Sequence, residues 1–108
     1  MTLDEYQHAA TRTINWKLST GDRLLDAAAG LAEEAGEILS VVRKHAFQSR
    51  ELDLTELEKE LGDALWCLSI TAATAGLSLE RIATANVGKL RVRYPDGYSD
   101  SASNERTS

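Results

Sequence analysis

Residues 22–44 read DRLLDAAAGLAEEAGEILSVVRK, a run rich in Ala, Leu and Glu that contains no proline and favours helix throughout. With Glu34 set at zero and each residue turning about 100°, Ala27, Leu31, Ile38 and Val41 fall at about 20°, 60°, 40° and 340°. Glu37, at about 300°, joins Glu34 on that apolar face. Arg43, Lys44 and His45 suit the negative end of the helix dipole. The stretch therefore predicts a long amphipathic helix with two carboxylates on the side that should be buried.

The flanking sequence yields further helices. Thr2 and Glu5 form a capping box that opens a first helix, predicted to reach about Leu18. Ser19-Thr20-Gly21-Asp22 is a turn, with Asp22 expected as the N-cap of the helix above. Residues 45–52 read as a loop. Asp53 and Glu56 form a second capping box for a third helix running to about Ala75 and closed by Gly76. Ser78 caps a fourth, Leu79 to about Arg93, which Pro95 stops. The single proline and few aromatics among 108 residues agree with an all-α chain, predicted as an antiparallel bundle of about four helices completed by oligomerisation. Residues 1–97 form the expected domain, and 98–108 a polar, flexible tail.

The third helix repeats the anomaly of the second. With Glu60 at zero, Leu57, Ala64, Cys67 and Thr71 lie at about 60°, 40°, 340° and 20°, and Asp63 joins them at about 300°. Burying an unpaired carboxylate costs several kcal/mol, and two like charges about 4 Å apart repel by roughly 4 kcal/mol at an effective dielectric of 20. An isolated ExxE is usually a solvated edge of an amphipathic helix. Two such pairs at matching positions, with no run of Lys or Arg on the same stripes, point to a hard divalent cation held by Glu34, Glu37, Glu60 and Asp63, magnesium first and manganese second.

Composition limits the rest. Hydrophobic residues make up 43% and charged residues 27% of the chain, values of an ordinary globular domain. Twelve Lys and Arg against 17 Asp and Glu leave a net charge of −5, which argues against nucleic acid as the partner. Charges interrupt every apolar run, so no membrane span is expected. With Cys67 as the single cysteine and no signal-peptide pattern, the expected compartment is the cytoplasm.

Glu33-Glu34-Ala35-Gly36-Glu37, followed after 22 residues by Glu60-Leu61-Gly62-Asp63-Ala64-Leu65-Trp66, resembles the ExxE and ExxD signature of the MazG-like all-α nucleoside triphosphate pyrophosphohydrolases. Asn86-Val87-Gly88-Lys89-Leu90-Arg91-Val92-Arg93-Tyr94-Pro95-Asp96-Gly97 is similar to the segment that follows in that family. The resemblance implies a Mg²⁺-dependent enzyme that cleaves an NTP or dNTP between the α and β phosphates and works as a homodimer or homotetramer. Glu34, Glu37, Glu60 and Asp63 would then hold the metal, and Glu33 would orient or deprotonate the attacking water. Asn86, Lys89 and Arg93 lie within about 60° of one another on the fourth helix. There the two cations can neutralise phosphate oxygens.

Trp16 is a candidate to stack on the base, and Gln7 to read its edge. Trp66 and Cys67 read as core residues. A Glu5-to-His8 pair has di-iron spacing but lacks its second copy. The alternative is a non-catalytic helical interaction module with a structural cation site, which has no use for cations on the fourth helix.

Overall fold

A computed structural model describes residues 1–104 of the chain. It is all-helical: α1 (Leu3–Thr11), α2 (Thr20–Phe47), α3 (Leu54–Thr74), α4 (Leu79–Arg93) and a short α5 (Asp100–Asn104). The Thr2–Glu5 capping box is present in both directions. α5 falls inside the stretch expected as a tail, whose last four residues lie outside the described ones.

Two helix boundaries differ from expectation for local reasons. α1 stops at Thr11, about two turns early. The Thr11 hydroxyl donates to the His8 carbonyl at 2.7 Å and the Thr13 hydroxyl to that of Ala10 at 2.7 Å, while Asn15 Oδ1 accepts from the Lys17 N–H at 3.1 Å. Short polar side chains here compete with the backbone for its own partners. The N-cap of α2 is Ser19, not Asp22: the Ser19 hydroxyl accepts from the Asp22 N–H at 3.1 Å, which leaves the Asp22 carboxylate in the first turn, where the dipole favours it.

The other boundaries follow the sequence. Asp53 Oδ1 accepts from the Glu56 N–H at 3.0 Å to open α3. Gly76, at φ +76°, closes it: the Leu77 N–H reaches the Ala72 carbonyl at 2.8 Å and the Gly76 N–H that of Ala73 at 3.0 Å, a Schellman turn that a left-handed glycine permits.

The α3–α4 turn is then held by α1. Gln7, buried at 8% exposure, donates to the carbonyls of Ser69 (3.3 Å) and Leu77 (3.0 Å) and accepts from the Leu79 N–H (3.0 Å). Asp4 Oδ1 accepts from the Ser78 hydroxyl at 2.9 Å and the Glu80 N–H at 3.1 Å, a second cap on α4. The polar edge of a nine-residue helix thus fixes where α4 begins.

Ala10, Ala27 and Ile70 make a small buried core, covered by Tyr6, Ile14 and Trp66. Trp66, as expected, packs there, and its Nε1–H donates to the Thr13 hydroxyl at 2.7 Å. α2 packs along α3, and α1 packs on α3 and α4. The radius of gyration is 16.9 Å, against about 13 Å for a compact chain of this length. Phe47, Leu25 and Leu54 stay exposed. A single chain is therefore an open arrangement and not a closed bundle.

Candidate functional site

The separation of α2 and α3 is set at Gly30. A Cβ built there would lie 3.0 Å from Cys67 Sγ, so only glycine allows this approach without displacing the buried thiol. One turn further along α2 stands Glu34; one turn back along α3 stands Asp63, with Glu60 beyond it. The contacts run in opposite directions on the two helices, which are therefore antiparallel, and the two acidic pairs meet across the interface.

Ligand-capable oxygens of Glu34, Glu60 and Asp63 lie within 4.8 Å of one another. Glu60 is buried at 8% exposure, Glu34 is half-buried and Asp63 is exposed. Glu34 Oε2 is shut off from solvent and has no hydrogen-bond partner. Neighbouring carboxylates push the Glu60 carboxyl up to about 7: Glu34 and then Glu56 would accept a hydrogen bond from its protonated form, and burial and the repulsion of the same two acids add to this. The negative potential spreads further. Burial, then Glu34, Asp63, Asp26 and Glu33, raise the Cys67 thiol; burial, then Asp63 and Cys67, raise the Tyr6 phenol.

The structure thus brings together three of the four expected metal ligands. Glu37 and Glu33 are exposed on α2, and Glu37 lies outside the close group. Asn86 and Lys89 are exposed and Arg93 half-buried on α4, with the Arg93 guanidinium 5.8 Å from the Tyr94 ring centroid. On the wheel, Asn86 and Arg93 lie within about 40° of Leu79, the buried residue of α4, and Lys89 within about 80°. Trp16 is 69% exposed and has the Arg23 guanidinium 4.8 Å from its ring centroid. Gln7, expected to read a base edge, is buried, with both amide N–H groups donated to the Ser69 and Leu77 carbonyls and its Oε1 accepting from the Leu79 N–H.

Glu56 was missed. It precedes Glu60 by one turn and falls on the same stripe at about 320°, but its place after Asp53 suggested a cap. Its N–H does meet Asp53, while its carboxylate lies beside Glu60.

Among the described residues no helix is long and apolar enough to cross a membrane. No curated protein and no solved structure matches the chain. The MazG nucleotide pyrophosphohydrolase domain matches residues 23–98, a span that takes in nearly all of α2, the whole of α3 and α4, and every acid of the cluster. By that match over most of its length, the chain belongs to the MazG nucleotide pyrophosphohydrolase domain family.

Proposed function

We propose that the chain is a Mg²⁺-dependent hydrolase that cleaves a nucleoside or deoxynucleoside triphosphate to the monophosphate and pyrophosphate. The observation that carries this reading, in a member of this family, is Glu34 Oε2: a buried carboxylate oxygen without a partner, grouped with Glu60 and Asp63. Buried polar atoms are rarely left unpaired, and a carboxylate can be satisfied by a cation as well as by a donor. An all-oxygen donor set fits a hard divalent ion, Mg²⁺ with Mn²⁺ as substitute.

Glu34, Glu60 and Asp63 would hold the ion, with Glu37 completing the set from the next turn of α2. When bound, such an ion neutralises phosphate oxygens and lowers the pKa of water. Glu33 orients the attacking water or takes its proton. Asn86, Lys89 and Arg93 bind the phosphates, the two cations offsetting the charge of the outgoing pyrophosphate. The exposed ring of Trp16 offers one face for a base. The protein acts in the cytoplasm as a homodimer or homotetramer, on a free nucleotide and not on nucleic acid. Residues 1–97 form the working domain and 98–108 a dispensable tail.

The direct test is pyrophosphate release with Mg²⁺ across a panel of common and non-canonical NTPs and dNTPs. Release that Glu60→Gln abolishes supports the assignment. No turnover on any member of the panel overturns it and leaves an interaction module with a structural cation.

A further inference from the structure

The connection between α1 and α2 and the first turn of α2 together make a stacked pair. The Arg23 guanidinium lies 4.8 Å from the centroid of the Trp16 ring and donates to the Leu18 carbonyl at 3.3 Å. Its Nε–H is shut off from solvent and has no hydrogen-bond partner, a condition that buried donors seldom show. Trp16 is nevertheless 69% exposed. A cation therefore occupies one face of the indole, and the exposure belongs to the opposite face and the edges.

The same connection is tied to the third helix. Thr13 Oγ1 accepts from the Trp66 Nε1–H at 2.7 Å, and Trp66 is the third residue after Asp63 on α3. On α2, Arg23 precedes Glu34 by 11 residues, three turns, and falls within about 20° of it on the wheel. The stacked pair and the acid cluster thus stand on one stripe of α2, about 16 Å of helix apart. That arrangement suits a ligand with a base at one end and phosphates at the other.

The cation beneath the ring decides what the open face accepts. A bare indole attracts positive charge through its quadrupole and so prefers a cationic partner. Here one side of the indole already holds a unit charge. A second cation stacked on the other side would be repelled by it across the thickness of the ring, where little water screens the two. An uncharged base meets no such repulsion and keeps the stacking contact. We infer that Arg23 is a positioning and selectivity residue, which holds the Trp16 indole from below and makes its open face take an uncharged base and refuse a cationic, N-alkylated one. This role rests on Trp16 stacking the base, as proposed above, but not on hydrolysis.

Two readouts that need no turnover test it. The emission of Trp16, taken as the signal lost in Trp16→Phe, should become more accessible to acrylamide quenching in Arg23→Met, while circular dichroism remains that of a folded chain. Nucleoside monophosphates in Mg²⁺ should quench the same emission on binding. Wild type should bind adenosine monophosphate more tightly than its cationic N1-methyl derivative, and cytidine monophosphate more tightly than its cationic N3-methyl derivative, by about threefold or more. Arg23→Lys, which keeps the charge, should keep that preference, whereas Arg23→Met should lose or reverse it. A merely structural Arg23 would change the affinities for neutral and cationic bases together. Unchanged ring accessibility in Arg23→Met, or a preference that survives in it, overturns the inference, as does a wild type whose Trp16 no nucleotide quenches. The expected preference without pyrophosphate release would uphold Arg23 and remove only the hydrolase.

Discussion

Cys67 Sγ sits where a β-carbon on Gly30 would come within 3.0 Å of it, so one missing methyl sets how closely α2 and α3 pack beside the acid cluster. Gly30→Ala brings two opposed effects. Alanine favours helix by about 1 kcal/mol, whereas forcing a methyl against a buried thiol costs typically about 1–3 kcal/mol. The net loss of stability should be small, but the helices must part slightly and divalent-ion binding should weaken. Cys67→Ala removes the obstacle, so in Gly30→Ala/Cys67→Ala the two changes should be non-additive by at least about 0.5 kcal/mol. Additive melting data would show that the contact does not limit the approach.

Removing one acid should stabilise the metal-free protein. Glu60 stands between Glu34 and Glu56, and Glu60→Gln replaces a crowded carboxylate with a neutral group of the same shape. The variant should melt higher than wild type without metal and no longer respond to Mg²⁺. Wild type should gain about 2.7 kcal/mol at a hundred times the dissociation constant. Equal Mg²⁺ responses in the two proteins would rule out Glu60 as a ligand.

The same carboxyl fixes the sign of a pH effect. Its value is about 7 in the folded chain against 4.5 for a free glutamate, so between these limits the folded state holds a proton that the unfolded state has lost. That contribution to stability is fully present below about pH 4.5 and is lost as pH rises towards 7. Metal-free wild type should therefore lose stability relative to Glu60→Gln across this window, while Mg²⁺, which competes with the proton, should bind more tightly as pH rises through it. Thermal melts of both proteins from pH 4 to 8 would check this, and parallel curves would contradict it.

Gln7 yields a purely structural prediction. Gln7→Leu takes a second donor from the Ser69 carbonyl, which keeps its partner within α3, and strips the partners of the Leu77 carbonyl and the Leu79 N–H; a buried group left unpaired costs about 1–3 kcal/mol. A loss of about 2–4 kcal/mol is expected, with faster amide exchange at Leu79 and a frayed start to α4. A stability change below about 1 kcal/mol would mean that water replaces the amide.

What could be read from the sequence divides along the range of the interactions. Helical periodicity placed Glu34 and Glu60 on inward faces because burial of α2 and α3 against each other is what the apolar stripes encode. Local chemistry likewise placed the Ser78 cap, the Gly76 turn and the stop before Pro95. The end of α1 was not legible, because Thr11, Thr13 and Asn15 redirect hydrogen bonds that periodicity does not register. Nor was the role of Gln7, whose partners lie more than 60 residues away, or that of Glu56, whose residue type fits a cap and an acid cluster equally well. The position of α4 depends on Asp4 and Gln7 and could not be had from α4 alone.

The position of bond cleavage separates the proposed reaction from other nucleotide hydrolases. The chain has no Gly-rich phosphate loop of the kind that directs attack to the γ phosphate, while Lys89 and Arg93 can offset charge on the departing β and γ groups. Attack at the α phosphorus should therefore expel pyrophosphate, and in ¹⁸O-water the label should enter the monophosphate. On the proposed reading Lys89→Ala would remove a phosphate contact made to substrate and transition state alike, so KM should rise with a smaller fall in kcat. Label in pyrophosphate would place attack at the β phosphorus, and label in free orthophosphate would indicate a γ-phosphatase; either result would overturn the assignment of α4 to the leaving group. A Lys89→Ala variant with wild-type KM would remove Lys89 from the site while leaving the acid cluster untouched.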